Sequence, residues 1–141
     1  MGDAIRHPVP GPATAPIDGL DVERLDTLRD LDPGDTSYLD RAIGNFQVNS
    51  VEAVEAISSA AASGDLDTVR ARSHKIAGSA LNLGAERAGA AARAVELQAD
   101  AHSLSGATAL LPELAAAMTE GRALLLTYRA TYAGDPPVST P

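Results

Sequence analysis

Leu66, Val69, Ser73, Ile76, Ala80 and Leu83 recur at steps of three and four residues. A helix brings such positions onto one side, because successive residues turn by about 100°. The outcome is a narrow inward seam, and it predicts a helix over 66–83 packed against other helices. A second long run, 36–62, repeats the spacing through Leu39, Ile43, Phe46, Ser50, Ala53 or Val54, Ile57 and Ala61. Residues 85–102 place Ala88, Ala91, Ala92, Val95 and Ala99 on one side, and 108–131 do so with Leu111, Leu114, Met118, Gly121, Leu125 and Tyr128. A shorter stretch, about 18–30, shows Leu20, Leu25, Leu28 and Leu31 and stops before Pro33-Gly34.

The punctuation between these runs agrees with them. Gly64 ends the second run, Asp65 is a good N-cap for the third, and Gly84 closes it. Pro112 falls in a first helical turn, where a missing N–H costs little. Short connections make neighbouring helices antiparallel. The expected fold is all-α: an up-down antiparallel four-helix bundle over 17–132 with a short additional N-terminal capping helix. The Pro-rich residues 1–16 and the residues 133–141 are expected to be disordered tails.

Composition narrows the function. The 141 residues suit one domain. There is no Cys, hence no disulfide, thiolate metal site or thiol nucleophile. The formal net charge is −8 with no basic stripe, which argues against nucleic acid as a partner. No apolar run approaches the roughly 18–20 residues of a membrane span, and no signal-peptide pattern is present. A cytoplasmic, monomeric protein with no membrane attachment is expected.

One segment carries chemistry. His74 lies about 100° round the helix from the inward Ser73, beside the seam, where it faces solvent. Its neighbours three and four residues away are Arg70, Ala71, Ala77 and Gly78, and Leu81 extends that strip. Gly inside a helix costs about 0.5–1 kcal/mol relative to Ala, so Gly78 needs a reason. Clearance for a docked protein is one: Ala71, Ala77 and Gly78 leave room for its backbone, and Leu81 offers an apolar contact. Arg70 and Lys75 are the candidate cations for neutralising an added phosphoryl group. Neutral imidazole is a nucleophile near pH 7, and phosphoryl transfer demands in-line positioning and charge neutralisation above all.

The stretch His74-Lys75-Ile76-Ala77-Gly78-Ser79-Ala80, followed by Asn82-Leu83-Gly84-Ala85, resembles the signature of the histidine phosphotransfer (HPt) domain family. Val95-Glu96 resembles that family's apolar–acidic pair, and residues 43–46 the apolar end of its second helix. The resemblance implies a helical bundle whose His74 accepts and donates phosphate. Its partners would be the aspartates of response-regulator receiver domains and a hybrid or sensor histidine kinase. It also implies no ATP-dependent kinase activity and no cofactor on this chain, with Mg²⁺ on the partner receiver. The family pattern has Lys three residues after the His; Ala77 stands there.

Other functions fit less of the sequence. A sensor-kinase dimerisation module usually shows His-Glu and a following Pro, whereas Lys75 follows His74 and no Pro follows within the helix. A hydrolase or metalloenzyme lacks its motifs: there is no HExxH and no paired His spacing. A scaffold that binds receivers without phosphate traffic fits the same residues and stays open.

Overall fold

Three of the helices start where a side chain takes up a free N–H group. The computed structural model describes residues 13–133 and contains α1 (Val22–Arg29), α2 (Ser37–Ala62), α3 (Leu66–Asn82), α4 (Glu86–Asp100), α5 (Leu104–Ala109) and α6 (Leu111–Ala133). Asp65 caps α3, accepting from the Thr68 backbone N–H at 3.1 Å and the Thr68 hydroxyl at 2.6 Å. These two bonds hold the Asp65 carboxyl below the usual carboxylate range. Asp21 caps α1 through the Arg24 N–H, and Ser103 caps α5 through the Gly106 N–H.

Helices α2, α3, α4 and α6 form the bundle, each packed against two of the others. Their inward stripes supply the core: Leu39, Ile43, Phe46 and Ile57 from α2, Val69 and Ile76 from α3, Val95 from α4, and Leu114, Met118, Leu125 and Tyr128 from α6. Burying an aliphatic or aromatic side chain of this size contributes about 1.5–3 kcal/mol relative to leaving it in water. Small residues set the helix spacing on the α4 side: a Cβ added at Gly121 would stand 3.1 Å from the Cβ of Ala88. This is the expected all-α four-helix bundle, with α1 as the extra N-terminal helix. No helix among the described residues is long and apolar enough to cross a membrane.

Three details differ from the sequence expectation. Residues 104–107, expected within a loop, form the short α5 together with 108–109, so the run expected to start at 108 instead begins at Leu111. Residues 13–16, assigned to the N-terminal tail, are partly tied down. Thr14 donates to Asp26 from its backbone N–H at 2.9 Å and from its hydroxyl at 2.7 Å. Residue 133, assigned to the C-terminal tail, ends α6. The expected disorder of residues 1–12 and 134–141 lies outside the described residues.

The C-terminal end of α3, where the HPt-like stretch finishes, is clasped by the N-terminal segment. Leu20 bridges to Ala85, and the Asp21 N–H donates to the Gly84 carbonyl at 2.8 Å. Arg24 donates to the Asn82 carbonyl at 2.9 Å and to its side-chain oxygen at 2.6 Å. Gly84 is left-handed at φ +70°, and a Cβ there would meet the Asp21 carbonyl at 2.8 Å. Both the turn and the close approach require glycine at this position.

Candidate functional site

The α3 seam buries Ser73, Ile76 and Ala80, which turns His74 outward on the side of α3 next to α4. The His74 side chain is 69% exposed, and its Nδ1 stands 2.8 Å from Oε2 of Glu96 on α4. Glu96 is itself only 13% exposed. An ionised carboxylate only accepts, so this bond places the ring proton on Nδ1. Nε2, on the opposite edge of the ring, keeps its lone pair and has no partner among the described residues. The second Glu96 oxygen, Oε1, is buried and accepts no hydrogen bond, but Arg93 Nε lies 3.3 Å away as an ion pair. The ring is thus held at one nitrogen and open at the other.

The sequence matches the Hpt domain over residues 41–124, more than half of the chain. The protein belongs to the Hpt domain family. Among solved structures, this Hpt protein is similar to histidine-containing phosphotransfer protein B from Pseudomonas aeruginosa PAO1. That match has a TM-score of 0.72 at 22% identity and covers 83% of this chain and 99% of the other. At that identity the likeness speaks for the fold. No curated protein sequence matches the chain.

The structure sorts the expected site residues of the Hpt domain. Ala71 and Gly78 are exposed, and a Cβ added at Gly78 would meet nothing within 4 Å. Leu81 is 42% exposed, with the rest of its side chain lying on Gly89 of α4. Ala77 does not belong to the outer strip: it is fully buried. It sits one position past the inward Ile76, and the tightly packed α4 covers that flank of α3. Nearness to His74 in helix spacing therefore did not translate into exposure.

The two expected cations lie on either side of the imidazole. Arg70 pairs with Asp100 at 3.7 Å, one turn N-terminal to His74 on the α4 side. Lys75 is exposed on the α2 side, lining a small cleft with Asn49, Glu52, Arg72 and Ser79. Ser79 back-bonds to the Lys75 carbonyl at 3.3 Å.

Glu96 is the residue whose position sequence reasoning missed. The sequence marked it only as the acidic half of the Val95-Glu96 pair; the contact with His74 was not expected. The signal was present in part, since Val95 points inward and its neighbour must flank the seam. The register between α3 and α4, which decides what Glu96 meets, is not written in either helix alone.

Proposed function

We propose that this Hpt domain is a phosphorelay intermediate in which Nε2 of His74 takes a phosphoryl group from a receiver-domain aspartate, or returns one to it. The observation that supports this most is the asymmetric imidazole: Nδ1 tied to Glu96 and Nε2 free in water. In the forward step the Nε2 lone pair attacks phosphorus in line with the aspartyl P–O bond. The N–P bond forms, the P–O bond breaks, and its electron pair leaves with the carboxylate oxygen. The ring then bears a positive charge with its proton still on Nδ1, facing the Glu96 carboxylate. In the reverse step a receiver carboxylate attacks, and the electron pair of the N–P bond returns to Nε2. Mg²⁺ belongs to the receiver partner in this scheme.

Open surface around the ring supports docking. Ala71, Gly78 and Leu81 present small or apolar groups beside His74, so a partner's backbone has access to Nε2. Such a contact is expected to be modest in area and quickly released, as a shuttle requires.

The test is incubation with a phosphorylated receiver domain. Acid-labile, base-stable label on the wild type, absent from His74→Gln, is expected. The variant should unfold within about 0.5 kcal/mol of the wild type, because a solvent-facing ring buries little. Label persisting in the variant would remove His74 from the role. Complex formation without any label would favour the receiver-binding scaffold.

A further inference from the structure

A phosphoryl group on Nε2 needs cations near it, and the cation best placed is on α4. Contacts between α3 and α4 fix an antiparallel register. Arg70 meets Asp100, His74 meets Glu96, and Leu81 lies on Gly89. Advancing along α3 from 70 to 74 to 81 retreats along α4 from 100 to 96 to 89, step for step. The same register sets Arg93 across from Ala77, with Gly78 next to it. Ala77 is buried and uncharged, and Gly78 leaves open space outside the helix.

Arg93 is also tied to the imidazole through a shared carboxylate. Glu96 meets His74 Nδ1 with Oε2 and Arg93 Nε with Oε1. This uses one edge of the guanidinium. The Arg93 side chain remains 48% exposed, and its two Nη groups have no partner among the described residues. The alternatives are less well placed. Arg70 is paired with Asp100, Arg72 with Glu52 at 3.6 Å on the α2 side, and Lys75 projects on that same far side of α3.

We infer that Arg93 is the residue that neutralises the phosphoryl group on His74, donating from its Nη groups to the phosphoryl oxygens while Glu96 holds the guanidinium and the imidazole together. This rests on the phosphohistidine role of His74 and adds a specific partner from another helix. A planar guanidinium suits the task because it presents parallel N–H donors to two oxygens at once.

The experiment uses phosphoramidate as a small-molecule phosphoryl donor on the full chain, so that no protein partner enters. Phosphohistidine is followed by its ³¹P signal and its decay after the donor is removed. In Arg93→Ala the decay should be about three- to fivefold faster, the size expected for losing one exposed ion pair, and the ³¹P signal should shift. Arg93→Lys should recover part of the lifetime, and Arg70→Ala should leave it unchanged. Circular dichroism establishes that each variant is folded. A wild-type lifetime in Arg93→Ala would overturn the inference, as would a larger loss in Arg70→Ala or Lys75→Ala. Slower uptake of label with unchanged decay would also overturn it, since Arg93 would then act only by fixing Glu96. Failure of the wild type to label at His74 would instead bring down the phosphohistidine role itself, and with it this assignment.

Discussion

Glu96 reaches from α4 to α3 and takes Nδ1 of His74 at 2.8 Å, on the edge of the ring away from water. For the proposed transfer the contact does three things. It fixes which nitrogen carries the proton, sets the ring orientation, and places a negative charge where positive charge develops. Glu96→Gln retains an oxygen that can accept from Nδ1–H but removes the charge. Its single-turnover rate of phosphoryl uptake from a receiver is expected to fall roughly tenfold, in line with the loss of a charge-assisted hydrogen bond. Glu96→Ala should fall further, as the tautomer is then free. Equal rates in all three proteins would show that the contact is structural only.

Gly78 separates the needs of folding from those of docking. It lies within α3, is exposed, and has open space where a Cβ would stand. Gly78→Ala is therefore expected to raise unfolding stability by about 0.5–1 kcal/mol, the ordinary helix-propensity gain. Gly78→Glu should remain folded but transfer phosphate poorly, through bulk and repulsion beside His74. Denaturant melts together with transfer assays decide this. A folded Gly78→Glu protein with wild-type rates would refute the clearance role.

Helices α3 and α4 end with the same pair of backbone bonds but different residues in the left-handed position. At the end of α3, Gly84 donates to the Leu81 carbonyl at 3.0 Å and Ala85 to that of Ala80 at 2.9 Å. At the end of α4, His102 donates to the Ala99 carbonyl at 3.0 Å and Ser103 to that of Gln98 at 2.9 Å. Gly84 has φ +70° and His102 has φ +57°, a conformation unfavourable to a side-chain-bearing residue by about 1 kcal/mol. His102→Gly should raise stability by up to about that amount, measured by chemical denaturation. A loss of stability would mean that the His102 side chain makes a compensating contact.

Asp26 ties the N-terminal segment to α6. Burial would raise its carboxyl, but bonds from the Thr14 N–H, the Thr14 hydroxyl and the Tyr128 hydroxyl, with the charge of Arg29, hold it below its ordinary value. A carboxyl lowered by folding adds stability above its unfolded value of about 3.9, and the gain is lost as pH falls through the lower folded value. Asp26→Asn is thus expected to lower stability at neutral pH by about 1 kcal/mol. The gap to the wild type should close at pH values below the folded carboxyl's titration. Thermal melts from pH 7 down to the acid limit of folding measure it; a gap that stays constant with pH would exclude the charge as its source.

The four bundle helices were legible because seam residues such as Val69, Ile76, Met118 and Leu125 repeat with helical spacing, and all four are buried. His74 was legible for the same reason: it stands next to the buried Ser73, and its side chain is exposed. Three features were not. Residues 103–106, Ser-Leu-Ser-Gly, read as a loop because Ser and Gly favour turns, yet Ser103 serves as the cap of α5. Ala77 looked accessible from its spacing to His74, but burial depends on which flank α4 covers. Glu96 acquired its role from interhelical register, a property of two segments together. Each miss reflects packing between elements that a single helix's periodicity does not encode.

The clasp on α3 bears on where this domain begins. The family match starts at residue 41, but Leu20, Asp21 and Arg24 close the end of α3, and Tyr128 and Tyr132 send their hydroxyls to Asp26 and Asp40. A polypeptide trimmed to the matched residues would leave Asn82 and Gly84 without their hydrogen-bonding partners and would lose both tyrosines together with Asp26 and Asp40. The helix that presents the imidazole would then fray from the end nearest the proposed docking strip, so the working unit extends upstream of the recognisable one.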